Sequence, residues 1–219
     1  HTYVMKYIGE HVLPGQIGHF FAILFLASAA VATIAFFKAN RQLHEAEKQS
    51  WLRFARIAFL TETVSVLGIF FTLYYITFNH YHEYFYAWNH SSATLQPEYL
   101  LASFWEGQEG SFMLWSFWHC VIGWFFIWRT PKWQAPVLTV LNLAQLCIAT
   151  MLVGFYFAGL KIGSNPFILF RQQMQGMPLF ENADYLNFPT IKQGQDLNTL
   201  LQNYWMVIHP PVLFLGFSS

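Results

Sequence analysis

The stretch IGHFFAILFLASAAVATIAFF, residues 17–37, decides the fold class of this chain. It contains no Asp, Glu, Lys or Arg. About 20 helical residues at 1.5 Å per residue cross a hydrocarbon core about 30 Å thick. A helix also satisfies its own backbone polar groups, which a membrane span requires. The stretch therefore predicts a transmembrane helix.

Three further stretches have the same length and character, at 55–77, 111–128 and 135–160. A fifth apolar run begins near Pro210 and extends to residue 219, which is about half of a span. These runs predict an all-α fold, a polytopic transmembrane helix bundle with ordered extracytoplasmic loops.

The spacing of these runs divides the chain into three parts. Residues 1–160 carry the first four transmembrane helices with their connections, 161–209 form a long extracytoplasmic loop, and 210–219 start an incomplete fifth helix. The chain starts at His1 and stops inside an apolar run, so we expect it to be a piece of a longer protein.

The composition supports a membrane protein. Hydrophobic residues make up 55% of the chain and charged residues only 10%, whereas soluble domains carry about 25% charged residues. The net charge is zero, which gives no argument for a nucleic-acid partner. Cys120 and Cys147 lie within apolar runs and are interpreted as small hydrophobic residues rather than as a disulfide or metal ligands.

The distribution of Lys and Arg predicts the orientation, because cytoplasmic connections carry more basic residues. The third connection, RTPKW, holds Arg129 and Lys132, whereas residues 78–110 contain no Lys or Arg and 161–209 contain them thinly. The first connection is the most basic, with Lys38, Arg41, Lys48, Arg53 and Arg56. We therefore expect the N-terminus and the connections 78–110 and 161–209 on the outer side.

The stretch QNYWMVIHPPVLFLGFSS, residues 202–219, contains a histidine before two prolines. Pro210 disfavours helical geometry at the residue before it, so the sequence predicts a helix that begins at Pro210 or Pro211 with His209 at its rim. An imidazole at this position is suited to axial ligation of haem iron. The alternative is a histidine that only occupies the interface.

The stretch ASFWEGQEGSFMLW, residues 102–115, places Glu106 and Glu109 before the third span. Carboxylates at a helix N-terminus are stabilised by the helix dipole, which is sufficient to explain them. The functional alternative is a rim that holds a polar ligand group or a cationic partner.

Other polar residues allow weaker hypotheses. Glu62 lies inside the second span, where an ionisable group suggests function, although it could pair with a basic residue of the first connection or stay protonated. His119 favours a packing role, and His80 with His82 lacks a third ligand for a metal. A short helix is predicted at DLNTLLQN, with Asp196 as its cap.

Three stretches, in this order, resemble the N-terminal part of CcmF of the haem-handling CcmF/CcsA/CcmC superfamily: WEGQEGS at 105–111, SNPF at 164–167 and GQDLNTLLQNYWMVIHPPVLFLGF at 194–217. The family pattern has proline where Thr199 stands, and often Gly or Ala where Glu106 stands. The second departure makes Glu106 a weaker functional candidate than Glu109.

The resemblance implies a subunit of the membrane haem lyase of cytochrome c maturation, in a bacterial inner membrane with its haem site facing the periplasm. The histidine of the HPP motif then ligates haem iron, which assigns that metal-ligand role to His209, with Glu109 and Trp105 assigned to cofactor binding and no residue to catalysis. Implied partners are apocytochrome c, the haem chaperone CcmE, a thiol-reducing, apocytochrome-binding CcmH-type subunit and the lipid membrane. The implied cofactor is haem b.

The rival hypothesis is a membrane transporter or haem exporter with an intramembrane carboxylate site at Glu62. Such a protein typically has inverted repeats and helices that are broken near the middle of the membrane. A third alternative is a passive assembly scaffold, which would need no histidine at the HPP position.

Overall fold

A computed structural model describes residues 9–157, 160–174, 176–181, 184–196 and 202–219. The elements in chain order are α1 (Val12–Arg41), α2 (Glu45–Phe78), α3 (Phe85–His90), α4 (Pro97–Ser103), α5 (Gln108–Arg129), α6 (Gln134–Val153), β1 (Phe155–Phe157), β2 (Leu160–Ile162), α7 (Phe170–Gln173), α8 (Pro189–Gln193) and α9 (Tyr204–Ser218). Short 3-10 turns occur at Pro178–Glu181 and Tyr185–Asn187.

Four of these helices, α1, α2, α5 and α6, are long and apolar enough to cross a membrane. Helix α1 packs against α2 and α6, and α5 packs against α6, α2 and α9. The predicted all-α, polytopic helical bundle is therefore confirmed, with one two-stranded hairpin added to it.

The seam between α1 and its neighbours is built from small residues. The buried alanines of α1 recur at spacings of three, four and seven, which place them on one helix face, and such small side chains let the backbones of membrane helices approach closely. Larger apolar side chains such as Phe25, Ile69 and Leu73 fill the space around them. The buried alanines are Ala22, Ala29, Ala32, Ala35 and Ala39.

Two element boundaries differ from the predicted ones. Helix α2 begins at Glu45 rather than near residue 55. The charged segment before the apolar run consists largely of strong helix formers, so the helix extends beyond the span at this end. Helix α6 ends at Val153 rather than at 160, because Gly154 has φ +65°, a conformation that ends a helix. The aromatic residues that follow form the β1–β2 hairpin, a feature that the sequence analysis did not predict.

The two long connections, 78–110 and 161–209, pack on each other as an outer cap, defined here as α3, α4, α7, α8 and the turns between them. Isolated bridges pair Tyr84 with Leu169 and Ser92 with Gly194. The Trp88 indole donates to the Thr190 carbonyl at 2.8 Å. A buried hydrophobic cluster gives this cap its own apolar core, and it consists of Phe170, Phe180, Tyr185 and Ile191.

Helix α9 begins at Tyr204, so the prediction that it starts at Pro210 or Pro211 is wrong. Asn203 caps the helix, since its side-chain oxygen accepts from the Met206 amide at 3.2 Å. His209, Pro210 and Pro211 all lie inside the helix. The preference of a residue before proline for extended backbone is overridden here. The predicted helix at DLNTLLQN falls largely on residues 197–201, outside the described residues.

Candidate functional site

The two prolines within α9 remove two helical hydrogen bonds. Pro210 has no N–H, so the carbonyl four residues earlier, that of Met206, loses its partner within the helix. The indole Nε1 of Trp105 donates to this carbonyl at 2.9 Å. In a membrane helix a freed carbonyl must be satisfied by a neighbour. Trp105 therefore supports α9 at the turn that carries His209.

The turn that presents Trp105 is fixed by close contacts with α3. The hydroxyl of Tyr86 donates to the Phe104 carbonyl at 2.8 Å. A Cβ at Gly110 would collide with that same carbonyl and with the Tyr86 hydroxyl, so only glycine fits there. The Ser111 hydroxyl donates to the Trp105 carbonyl at 3.1 Å. The glycines of WEGQEGS therefore allow a close approach that holds the tryptophan in place.

The two glutamates of this stretch have different surroundings. Glu106 lies 3.3 Å from Nδ1 of His90, a partner that the sequence analysis did not identify. Glu109 lies in the first turn of α5, half-buried and facing Tyr86. Burial, followed by the charge of Glu109, raises the pKa of the Tyr86 phenol far above its usual range. No hydrogen bond or ion pair joins Glu109 to His209 in the part of the chain that the structure describes.

His209 is exposed on α9 and is flanked by apolar surface. Trp205, one turn earlier, is 71% exposed, and Val212, one turn later, is 61% exposed. A Cβ at Gly216 would meet nothing within 4 Å, so the surface beyond Val212 is open. An exposed imidazole in the middle of an apolar stripe can ligate iron while the stripe contacts a flat apolar group. These residues fit a haem, to which they offer one axial ligand and an apolar face.

The opposite side of α9 packs against α5. The ring of Trp115 lies 6.2 Å from that of Phe214 and 6.3 Å from that of Phe217, measured between centroids. Val207 and Phe214 pack against the main core cluster. This aromatic contact sets the rotation of α9, so that His209 points away from the bundle.

The remaining predicted candidates lie elsewhere. Glu62 is fully buried between the spans and does not pair with Arg56, which donates to the Gln134 side chain at 2.7 and 3.1 Å. His119 is buried in α5. The rings of His80 and His82 lie 5.8 Å apart, but no group of three or more His, Cys, Asp or Glu that could hold a metal occurs among the described residues.

The sequence did not predict that Trp105 donates a hydrogen bond to α9. The signal was present, because a proline in a helix always frees the carbonyl four residues before it. The distance of about a hundred residues between Trp105 and Met206 hid the pairing. A donor that reaches such a carbonyl can be identified only when the packing of the helices is known.

Comparison with known proteins finds similarity to two proteins of cytochrome c biogenesis. No family model matches the chain. Over 134 residues, 61% of the chain, it is 28% identical to the "Probable cytochrome c-type biogenesis protein NrfE" of Escherichia coli (strain K12), of which it covers 20%. Its fold matches a solved structure of "Cytochrome c Heme Lyase CcmF" over its full length with a TM-score of 0.68 and 20% identity, covering 30% of that chain.

The chain therefore spans less than a third of the length of each of these two relatives. The structural match establishes the fold. The sequence match adds a similarity in residues to a second protein. Together they confirm the resemblance to CcmF that the WEGQEGS, SNPF and HPP stretches predict: the chain is a CcmF-like, polytopic helical protein that corresponds to part of its relatives.

Proposed function

We propose that the complete protein is a haem lyase subunit of cytochrome c maturation, and that His209 is an axial ligand to the haem that is being attached. The observation that carries this proposal is the position of His209, an exposed imidazole in the middle of an apolar stripe on α9. The names of the two relatives support the same assignment. A haem supplies the iron that the imidazole ligates and the vinyl groups that are attached to protein.

The chain's own residues hold and orient this substrate. His209 offers a neutral ring nitrogen, and the exposed Trp205 and Val212 offer apolar contact for the porphyrin face. Trp105 acts as a positioning residue, because its indole is bound to the Met206 carbonyl within the same turn of α9. Glu109 contributes negative charge at the start of α5, near the outer cap.

The reaction requires geometry more than reactive groups. In the proposed reaction, haem arrives from the haem chaperone CcmE, and each thiol of the CxxCH motif of apocytochrome c adds across one vinyl group. A carbon–sulfur bond forms, the thiol proton goes to the neighbouring vinyl carbon, and nothing is released. Holding a thiol and a vinyl together in a near-attack geometry lowers such a barrier by several kcal/mol, about 7 kcal/mol in favourable cases.

The proposed setting is a bacterial inner membrane, with the outer cap and His209 on the periplasmic side. The Lys and Arg of the α1–α2 and α5–α6 connections support this orientation, because both connections lie at the opposite end of the bundle. The outer cap is then the surface that docks apocytochrome c and a CcmH-type subunit. A resident haem b would take its ligands from other parts of the complete protein, so this chain is not expected to act alone.

The transporter alternative receives less support from the fold. The four spans run as continuous helices, whereas secondary transporters typically bind substrate at broken helices near the middle of the membrane. We therefore do not propose transport as the function.

The test replaces His209 with glycine in the full-length protein and measures covalent cytochrome c in cells, with and without added imidazole. We expect assembly to be lost and external imidazole to restore part of it by entering the vacated ligand position. His44→Gly is the matched control, because His44 is exposed at the opposite end of the bundle and its side chain makes no capping bond. Wild-type assembly in His209→Gly without imidazole would contradict the ligand role.

A further inference from the structure

Between α2, α5 and α6 lies a group of fully buried polar side chains, here called the mid-bundle polar cluster: Glu62, Ser116, Asn142 and Gln145, with His119 at its edge. The first four have a relative exposure of 0% and His119 has 6%. They lie on three different spans. The function proposed above does not use them.

The two amide nitrogens of this cluster each already donate a hydrogen bond, whereas Nδ1 of His119 has no partner among the described residues. The Gln145 amide nitrogen donates to the Ser116 carbonyl at 3.1 Å and contacts Cys120 Sγ at 3.6 Å. The Asn142 amide nitrogen donates to the Leu138 carbonyl at 2.7 Å. The amide oxygens of both side chains have no donor among the described residues.

The acceptors of the cluster are not satisfied. Among the residues that the structure describes, none donates to either carboxylate oxygen of Glu62, to Oδ1 of Asn142 or to Oε1 of Gln145. The Gln145 side chain faces the Glu62 carboxylate. Buried polar groups in native proteins nearly always have partners, and each missing one costs about 1–3 kcal/mol. Four oxygen acceptors without a donor indicate that a positively charged or donating species belongs among them.

No Lys or Arg side chain in the described part of the bundle supplies this species. The nearest arginine along α2, Arg56, is bound to Gln134. The titratable groups that face the site come from α5, namely Cys120 beside Glu62 and His119 beside Gln145. The α6 positions are the amides Asn142 and Gln145, and α1 carries no charged residue between Val12 and Phe37. An isolated carboxylate in such surroundings is too costly to persist without a counter-charge.

We propose that the mid-bundle polar cluster is a binding site for a single small cation, with Glu62 as its anionic ligand and the Asn142 and Gln145 oxygens completing it. The cation is either a proton held on the Glu62 carboxyl or a monovalent metal ion such as Na⁺. Oxygen ligands of this kind suit hard cations. The cluster does not suit a transition metal, since the described residues contain no group of three His, Cys, Asp or Glu able to hold one.

The experiment uses the full-length protein, purified in detergent and labelled with ¹³C-glutamate, and compares wild type with Glu62→Gln. Infrared spectra report whether a protonated glutamic acid carbonyl band is present at neutral pH and is absent in the variant. Thermal unfolding in NaCl and in choline chloride reports whether Na⁺ raises the Tm of wild type but not that of the variant. Glu47→Gln, at an exposed position of α2, is the matched control.

The two arms distinguish the sources of the charge. A protonated band lost in Glu62→Gln supports the site with a proton, and a Na⁺-dependent rise in Tm lost in the variant supports it with a metal ion. An ionised Glu62 together with a Tm that is the same in both salts would overturn the proposal. If Glu62→Gln does not fold, the wild-type spectrum and its salt dependence still decide, and Gln145→Leu replaces it as the variant in which the site is weakened.

Discussion

Two regions of this molecule treat polar groups in opposite ways. One is the α5–α9 corner, defined here as Trp105, the start of α5 and the turn of α9 that carries His209, and the other is the mid-bundle polar cluster. At the corner, Pro210 breaks a helical hydrogen bond, and Trp105 on another segment donates to the freed Met206 carbonyl. In the cluster, intact helices surround acceptors on Glu62, Asn142 and Gln145 that no described residue satisfies. At the corner the freed carbonyl is therefore satisfied by another segment of the protein, and this contact fixes a geometry. The cluster is complete only with a partner from outside the chain.

The largest expected effect comes from the backbone contact at the corner. Gly110→Ala places a methyl group against the Phe104 carbonyl and the Tyr86 hydroxyl, and the helix must shift to admit it. We expect destabilisation by about 3 kcal/mol and a strong loss of cytochrome c assembly. Thermal unfolding and cytochrome yield measure this.

The matched control for this substitution is Gly216→Ala on α9, where the new methyl group meets nothing within 4 Å. We expect it to be neutral or slightly stabilising, because alanine favours a helix over glycine by about 1 kcal/mol. Equal effects at the two glycines would show that the corner is not tightly fixed.

The second prediction removes one hydrogen bond from the corner. Trp105→Phe keeps the aromatic ring but leaves the Met206 carbonyl without a donor, at a cost of about 1–3 kcal/mol. We expect faster hydrogen exchange of the α9 amides and a lower cytochrome c yield. Trp118→Phe is the control, because its buried Nε1 donates to none of the described residues and should be lost at little cost. Similar exchange in both variants would refute the supporting role of Trp105.

The third prediction concerns the outer cap, where His82 is held by its Nδ1–H donating to the Lys192 carbonyl at 2.9 Å. Burial lowers the pKa of His82 below its ordinary value, although the carbonyl opposes this. The folded state therefore takes up a proton less readily than the unfolded state. This contribution to stability is fully present above the ordinary histidine pKa and is lost as the pH falls below it.

Hydrogen exchange at α8 should therefore increase relative to the α1–α2 turn as the pH is lowered from about 7.5 to about 5, after correction for intrinsic rates. His82→Gln should remove most of this pH dependence. A pH dependence that is unchanged in the variant would locate its origin elsewhere in the cap.

The smallest expected effect lies in the cluster. Asn142→Leu removes an acceptor that has no described partner, together with a local bond to the Leu138 carbonyl, and replaces it with a side chain of similar volume. We expect a change in stability of about 1 kcal/mol or less, of either sign. The measurement is thermal unfolding in choline chloride. A loss as large as that of Trp105→Phe would show that the cluster, like the corner, is already satisfied.

The sequence predicted the parts of this molecule that depend on local composition. The four spans followed from apolar length, and their approximate limits were right because a helix in lipid must satisfy its own backbone. The errors arose where local rules compete. Pro210 predicted a helix start, but Asn203 supplies a cap and the helix begins at Tyr204. At the end of α6, Gly154 stops the helix inside an apolar run that length alone would continue.

By itself, the sequence determined a membrane-spanning helical bundle with a histidine beside two prolines and a glycine-rich, glutamate-containing turn before a span. Those features depend on hydrophobicity, on helix geometry and on the missing N–H of proline, which are local properties. Only the tertiary structure decided that Trp105 satisfies Met206, that Glu106 meets His90, and that Glu62 lies among unsatisfied amides. These pairings join residues that are far apart in the chain, and they form only where packing brings two segments within 3–4 Å of each other.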